Sequence, residues 1–261
     1  MQNEAKTCAF CGQVLDGSTR TKEHVWPLWL QKRFGLEKDQ FQGNHFGIPW
    51  GISTLSTRTQ SFSSLVLGGV CASCNNGWMS ELETKVAPIF EKLWCPNNDR
   101  YTTLELDSCN TLAQWAFKTS LVINLSSNYR KIIPLEHYRE FFEFKRLPKN
   151  TTVDISLAHF VNNLQWIQGQ HAIGKIYTEI DITKDLAKTI SSLYVITLDI
   201  GGILLKTVWI PTDFLESPLP SSGNVKRIWP YIKPSKLSLQ NRKNEITKFS
   251  TRTLFRTKKT L

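Results

Sequence analysis

Two pairs of cysteines with the same internal spacing are the first feature of this sequence that could do chemistry. Cys8 and Cys11 form one Cys-x-x-Cys pair, and Cys71 and Cys74 form the other. Each such turn brings two thiolates to one ion, and two turns complete a tetrahedral four-thiolate shell. The sequence therefore predicts a structural Zn²⁺ on these four cysteines, which supplies folding energy to a small unit.

Three further residues lie next to these pairs and could act on a phosphodiester. Glu23 and His24 lie between the pairs, and Asn75 directly follows Cys74. Hydrolysis of a phosphodiester needs a base for the water and a cation near the leaving oxygen. A neutral His24 can accept the proton, while oxygens of Glu23 and Asn75 can hold one Mg²⁺ or Mn²⁺. The alternatives are a helix N-cap for Asn75 and, for Glu23 and His24, a surface dipeptide or a hydrogen bond to the cysteine turns.

The order of these motifs resembles the HNH endonuclease superfamily, in the branch whose ββα-metal finger carries a four-cysteine zinc ribbon. Cys-x-x-Cys, Glu-His-Val-x-Pro, a short β-hairpin and Cys-x-x-Cys-Asn carry the resemblance. It implies a metal-dependent endonuclease that cuts DNA, with His24 as the general base. Glu23 and Asn75 would hold the catalytic cation, which is distinct from the zinc.

Longer segments look like bacterial and phage members of this superfamily that are known mostly from sequence. They are Glu-His-Val-Trp-Pro-Leu-Trp-Leu, Cys-Asn-Asn-Gly-Trp-Met-Ser-Glu-Leu-Glu, Leu-Ala-Gln-Trp-Ala-Phe-Lys-Thr and Arg-Ile-Trp-Pro. Two positions depart from the family pattern. Residues 63–69 lack the usual Asn, which leaves Asn44 as a substitute, and Trp78 stands where a Lys or His is common. A third side-chain ligand would then be Asn76 or Glu83.

The elements that must position these residues indicate an α+β protein. We expect a zinc-bearing ββα module over residues 1–98, with a polar insertion at 37–64 that forms a surface loop. A helix should follow Ser80 as its N-cap, with Glu83 completing a capping box. Residues 99–261 should form an accessory region that positions the substrate.

In that accessory region the apolar periodicity predicts helices and then a mainly antiparallel sheet. One helix is expected from Ser108 to about Leu125, with Lys118 on the side opposite its apolar face, and a second from Pro134 to Phe142. Strands are expected at 153–158, 164–167 and 171–177. Gly201 and Gly202 join 193–200 to 203–210 in a predicted hairpin.

The excess positive charge lies at the C-terminal end. The chain has 32 basic and 22 acidic side chains, and residues 225–261 contain eleven of the former and only Glu245 of the latter. The preceding residues are therefore balanced. Such a segment can neutralise phosphates and speed encounter with nucleic acid, and the alternative is a solvated, partly disordered tail.

Compartment and partners follow from composition. The N-terminus has no signal-peptide pattern and no run reaches about eighteen apolar residues, so we expect a cytoplasmic protein without membrane contact. Cys95 and Cys109 are expected to be ordinary thiols. The alternatives to a DNA endonuclease are a non-catalytic zinc-ribbon protein that binds nucleic acid, and an RNA-directed nuclease or defence effector.

Overall fold

The computed structural model describes most of the chain, with gaps concentrated in its C-terminal half. The described residues are 6–47, 53–94, 101–127, 131–158, 163–170, 176–177, 192–213, 215–217, 224–231, 236–240 and 255–257. They form a mixed α+β structure, as the sequence predicts. Among their helices, none is long and apolar enough to cross a membrane.

Five α-helices are described, and a short 3-10 helix spans Phe62–Ser64. The α-helices are α1 (Leu28–Phe34), α2 (Ala72–Cys74), α3 (Ser80–Trp94), α4 (Leu106–Ser126) and α5 (Leu135–Phe144). A π-helical turn, Asn75–Met79, joins α2 to α3 with a kink at Gly77. The predicted helices in the accessory region, now α4 and α5, are thus confirmed to within a few residues.

The described strands belong to five sheets. In chain order they are β1 (Glu23–His24), β2 (Gln40–Gly47), β3 (Ser53–Ser61), β4 (Val66–Leu67), β5 (Tyr101–Glu105), β6 (Thr151–Leu157), β7 (Leu164–Gln170), β8 (Ile176–Tyr177), β9 (Tyr194–Ile200), β10 (Ile203–Trp209), β11 (Leu215–Glu216), β12 (Val225–Trp229), β13 (Lys236–Gln240) and β14 (Phe255–Thr257). The largest sheet has the order β12-β6-β10-β9-β7, and every pair in it is antiparallel.

The predicted β9–β10 hairpin is confirmed, and its turn explains the two glycines. Gly201 and Gly202 have φ of +60° and +86°, a conformation that residues with a side chain rarely adopt. A Cβ on Gly201 would also lie only 2.7 Å from the ring of Phe34 in α1. The turn therefore both reverses the chain and lets the N-terminal helix pack closely. Of the predicted 171–177 strand, only Ile176 and Tyr177 lie within the described residues.

Helix α4 is the centre of the molecule. It contacts α3, β4, β5, β10 and β12, and its middle is buried on all sides rather than on one face. Lys118 is among the buried residues, with 1% of its surface exposed. The expectation that Lys118 projects away from the packed face is therefore wrong, because α4 has no solvent-facing side at that level.

The cysteine-bearing N-terminal residues and the accessory region share one apolar core. Trp26 packs on Trp166 of β7, with ring centroids 5.9 Å apart, and Phe41 stacks on the same indole at 4.4 Å. The indole N–H of Trp94 donates to the carbonyl of Ile200 at 3.0 Å. Elements on either side of residue 98 are thus packed against each other in one core.

The polar insertion differs from its prediction. Residues 37–64 contain the paired strands β2 and β3, which form a long antiparallel hairpin rather than a loop. Thr57 and Thr59 contribute β-branched side chains to β3, and Phe41 packs against Phe62 at its base. The start of α3 also differs, because Ser80 has helical dihedral angles and is not an N-cap.

Candidate functional site

The four predicted zinc ligands lie together. The Sγ atoms of Cys8, Cys11, Cys71 and Cys74 are all within 4.8 Å of one another, and Cys11 and Cys71 are 3.5 Å apart. Zinc–sulfur bonds of about 2.3 Å in a tetrahedron place sulfurs roughly 3.8 Å apart. The cluster therefore fits a four-thiolate Zn²⁺ site, and it is the only group of three or more such ligands found among the described residues.

Backbone contacts between distant segments build this cluster. The amide of Ala9 donates to Gly69, and the amide of Ala72 donates to Thr19, so the two cysteine turns are tied together. The Cys74 thiol donates to Cys8 and lowers the pKa of the Cys8 thiol to about 4. The same contact raises the pKa of the Cys74 thiol. Metals require the thiolate form of each cysteine ligand.

The other two cysteines are separate from this site. Cys109 is buried in α4 and is a free thiol, as expected for an ordinary core residue. Cys95 lies outside the described residues.

Glu23 and His24 occupy the short strand β1, which pairs antiparallel with β4. Glu23 is opposite Leu67 and His24 is opposite Val66. Because successive side chains of a strand point to opposite faces, the two residues meet different surroundings. Glu23 faces the core and is 5% exposed, whereas His24 is half-buried.

The surroundings of His24 favour its neutral form. Partial burial lowers the pKa of His24 below its ordinary value, and the negative charge of Glu83 opposes that shift. A neutral imidazole carries one nitrogen that can accept a proton. His24 is therefore chemically suited to act as a base near neutral pH.

Glu23 takes part in a buried network of three charged side chains. The Lys118 ammonium lies 3.4 Å from Oε1 of Glu23 and 2.6 Å from Oε1 of Glu83. Burial raises the pKa of Glu23, and the Lys118 charge partly offsets this. Burial alone would lower the pKa of Lys118, but the two carboxylates outweigh it and hold that pKa above the usual range.

Glu83 has a different role from the capping box predicted for it. Its carboxylate binds Lys118, and its side chain is 20% exposed, more than that of Glu23. It also acts electrostatically on both Glu23 and His24. Glu83 is therefore the more exposed carboxylate of this network, and its charge acts on both residues of β1.

Asn75 lies at the junction of α2 and the π-helical turn. Its backbone amide donates to Cys71, and its side-chain amide donates to the hydroxyl of Thr21 at 3.2 Å. Thr21 precedes β1, so this bond ties the residue after the last cysteine to the strand that carries His24. The Asn75 side-chain NH₂ is used in this bond, and its carbonyl oxygen is the atom suited to a cation.

Trp78 packs with aromatic neighbours where the family often has a Lys or His. Its ring lies 5.4 Å from that of Phe10 and 5.7 Å from that of Phe141, and the Lys145 ammonium lies 4.7 Å from its centroid. Asn44 and His45 lie in β2, but their side chains fall outside what the structure describes.

Sequence reasoning missed Lys118 and its link to Glu83. The available signal was a single lysine in an otherwise apolar helix, within the Leu-Ala-Gln-Trp-Ala-Phe-Lys-Thr segment. A lysine at that depth is almost never found without a charged partner. The partners were not readable, because they lie 95 and 35 residues away in the chain.

Comparisons with known proteins do not bear on the function of this site. No family model, no curated protein and no solved structure matches this chain.

Proposed function

We propose that this chain is a metal-dependent endonuclease of the HNH type that hydrolyses phosphodiester bonds of DNA. The observation that carries the proposal is the β1–β4 strand pair followed by α2 and α3, with the four-cysteine cluster beside it. Two paired strands that precede these helices, beside four cysteines that could hold zinc, support a ββα-metal unit. This arrangement accords with the motif order that resembles the HNH superfamily.

In this proposal His24 is the general base. Its lowered pKa keeps the imidazole neutral, and it takes a proton from the attacking water. His24 is only half-buried on β1, which leaves part of its imidazole accessible to a substrate.

Oxygens of Glu23 and Asn75 are the proposed ligands of the catalytic cation, with Glu83 as the third. Carboxylate and amide oxygens are the donors that Mg²⁺ and Mn²⁺ prefer. When bound there, such an ion stabilises charge on the phosphate and on the leaving 3′ oxygen. Thr21 holds Asn75 by its NH₂ group, which leaves the carbonyl oxygen for this purpose.

The zinc site has a structural role in this proposal. Four thiolates fill a tetrahedral shell and leave no open position for water or substrate. The cluster instead holds the segment before β1 against the segment that leads into α2.

Plasmid nicking tests the proposal. Zinc-loaded wild-type protein should nick supercoiled DNA when Mg²⁺ is added, and His24→Ala should lower the rate at least about 100-fold because the base is lost. His137→Gln is the matched control, since His137 is bonded to Tyr194 rather than placed in the site. Absence of Mg²⁺-dependent nicking, or nicking by His24→Ala at the wild-type rate, would contradict the proposed endonuclease activity.

The same experiment separates the alternative functions. Preferential cleavage of structured RNA would favour an RNA-directed nuclease or defence effector. Salt-dependent binding of either nucleic acid without cleavage would favour a non-catalytic zinc-ribbon protein.

A further inference from the structure

A buried lysine joins three elements beneath the candidate site. Lys118 comes from the middle of α4, Glu23 from β1 and Glu83 from α3. The Lys118 side chain is 1% exposed, so it cannot reach a substrate, yet its ammonium bonds to two carboxylates at once. An isolated charge at this depth is very costly, and a pair that is buried and bonded has a defined geometry.

We propose that Lys118 is a positioning residue, which fixes the carboxylates of Glu23 and Glu83 in the orientation that binds the catalytic cation. The inference rests on the proposed function for the role of that cation. Lys118 bonds Oε1 of each carboxylate, and this leaves Oε2 of each as the oxygen that would bind the cation. Helix α4 thus positions the two carboxylates of the site through Lys118, from within the core.

Two simpler roles predict different behaviour. If Lys118 only filled space, a neutral group of the same size would replace it without loss. If it acted only through its positive charge, its removal would tighten cation binding, because a like charge near the cation would be gone. Orientation of the carboxylates predicts the reverse, that removal weakens cation binding.

Binding of Mn²⁺ alone to zinc-loaded protein, followed by electron paramagnetic resonance, distinguishes these roles. We expect one Mn²⁺ site in the wild type, lost in Glu23→Gln. In Lys118→Ala the dissociation constant should rise at least about 10-fold, the lower end for groups that orient metal ligands. Lys85→Ala is the matched control, because Lys85 is an exposed lysine on α3.

Chemical rescue keeps the test decisive if Lys118→Ala is unstable. Propylammonium replaces the missing methylenes and ammonium, and should restore Mn²⁺ binding and zinc-loaded folding together. Equal concentrations of 1-propanol, which fills the same space without charge, should restore less than a tenth of the effect. Rescue by 1-propanol to the same extent would overturn the inference in favour of packing.

The outcomes separate this inference from the proposed function. Wild-type protein that binds Mn²⁺ with the expected pattern but cleaves neither DNA nor RNA would overturn the nuclease and leave the positioning role standing. Lys118→Ala that binds Mn²⁺ as tightly as wild type, or wild type that binds none, would overturn the positioning role itself.

Discussion

The stability that a bound metal would give to the four-cysteine cluster depends on all four thiolates. Their Sγ atoms converge from two segments about sixty residues apart in sequence. Closure of such a loop is entropically unfavourable in the unfolded chain, and a bound metal offsets this by binding the folded form only. Loss of one thiolate therefore removes much more than a quarter of the free energy that metal binding contributes to folding.

Cys74→Ala should consequently lose its zinc. We expect the purified variant to contain less than about 0.1 equivalent of zinc, and the residues before β1 to become sensitive to protease. Metal analysis by mass spectrometry and limited proteolysis measure the two effects. Cys109→Ala, which removes a buried free thiol from α4, should keep one equivalent. A full equivalent of zinc in Cys74→Ala would show that the four thiols are not the metal site.

The sequence predicted only those residues of the candidate site that belong to a recognisable local motif. The spacing of the four cysteines predicts that they bind one metal ion, and the structure brings them together. They are Cys8, Cys11, Cys71 and Cys74. The catalytic roles of Glu23, His24 and Asn75 remain predictions. The Lys118 network was beyond reach, because pairing of buried charges depends on how α3, α4 and β1 pack rather than on any local pattern.

At the scale of elements, α5 packs its one buried histidine against the central sheet. Nδ1 of His137 lies 3.0 Å from the hydroxyl of Tyr194 on β9, and its ring is 4.6 Å from that of Trp209 on β10. Burial lowers the pKa of His137 to about 4, and the nearby Glu136 only partly opposes this shift. The folded protein thus keeps His137 neutral where an unfolded chain would protonate it.

This difference makes the packing of α5 sensitive to acid. The folded pKa lies below the unfolded value of about 6.5, so the unfolded state binds more protons between about pH 6.5 and pH 4. Stability is full above that range and falls as the pH decreases through it. Between about pH 7 and pH 4.5, His137 should account for a loss of roughly 2 to 3 kcal/mol.

Denaturant unfolding of wild type and His137→Gln measures this contribution. Both proteins lose stability in acid through their other groups, but the wild type should lose roughly 2 to 3 kcal/mol more. Glutamine keeps a polar partner for Tyr194 and cannot take up a proton in this range. Parallel pH profiles for the two proteins would contradict a buried neutral His137.

Local pattern predicted the regular elements well and the insertion poorly. The strand-like segments and the Gly201–Gly202 turn predicted four strands of the large sheet, β6, β7, β9 and β10, but not its edge strand β12. The β2–β3 hairpin carries mostly Ser, Thr, Gln and Gly, which read as loop residues. Contact of Phe41 with Trp166 favours this pairing. These two residues are far apart in the sequence, so a local pattern cannot reveal their contact.

At the scale of the whole molecule, the basic C-terminal segment is partly built into the fold. It contributes β12 at an edge of the large sheet, β13 beside β5, and β14 beside β8 and β11. The Arg227 guanidinium bonds both oxygens of the buried Asp154, at 2.8 and 3.2 Å. Arg227 is therefore a structural cation, and a solvated tail does not describe these strands.

In the proposed function, lysines of this segment bind the phosphate backbone of DNA. Each phosphate contact that releases a counterion adds about 0.9 to the slope of log affinity against log salt. Replacement of Lys243, Lys248, Lys258 and Lys259 by Gln should reduce the slope for duplex DNA by about 3 to 4 if all four make contacts. Fluorescence anisotropy over a salt series gives the slope directly.

A variant with the same change in net charge at other positions makes this measurement specific. Lys6, Lys32, Lys38 and Lys85 are exposed lysines outside the segment, and their replacement by Gln lowers the net charge equally. If the C-terminal lysines bind the backbone, this control should keep a slope within about one unit of wild type, because unspecific attraction is screened within roughly 10 Å at moderate salt. Equal losses in both variants would mean that the positive field acts only through total charge. The C-terminal segment would then have no special part in binding DNA.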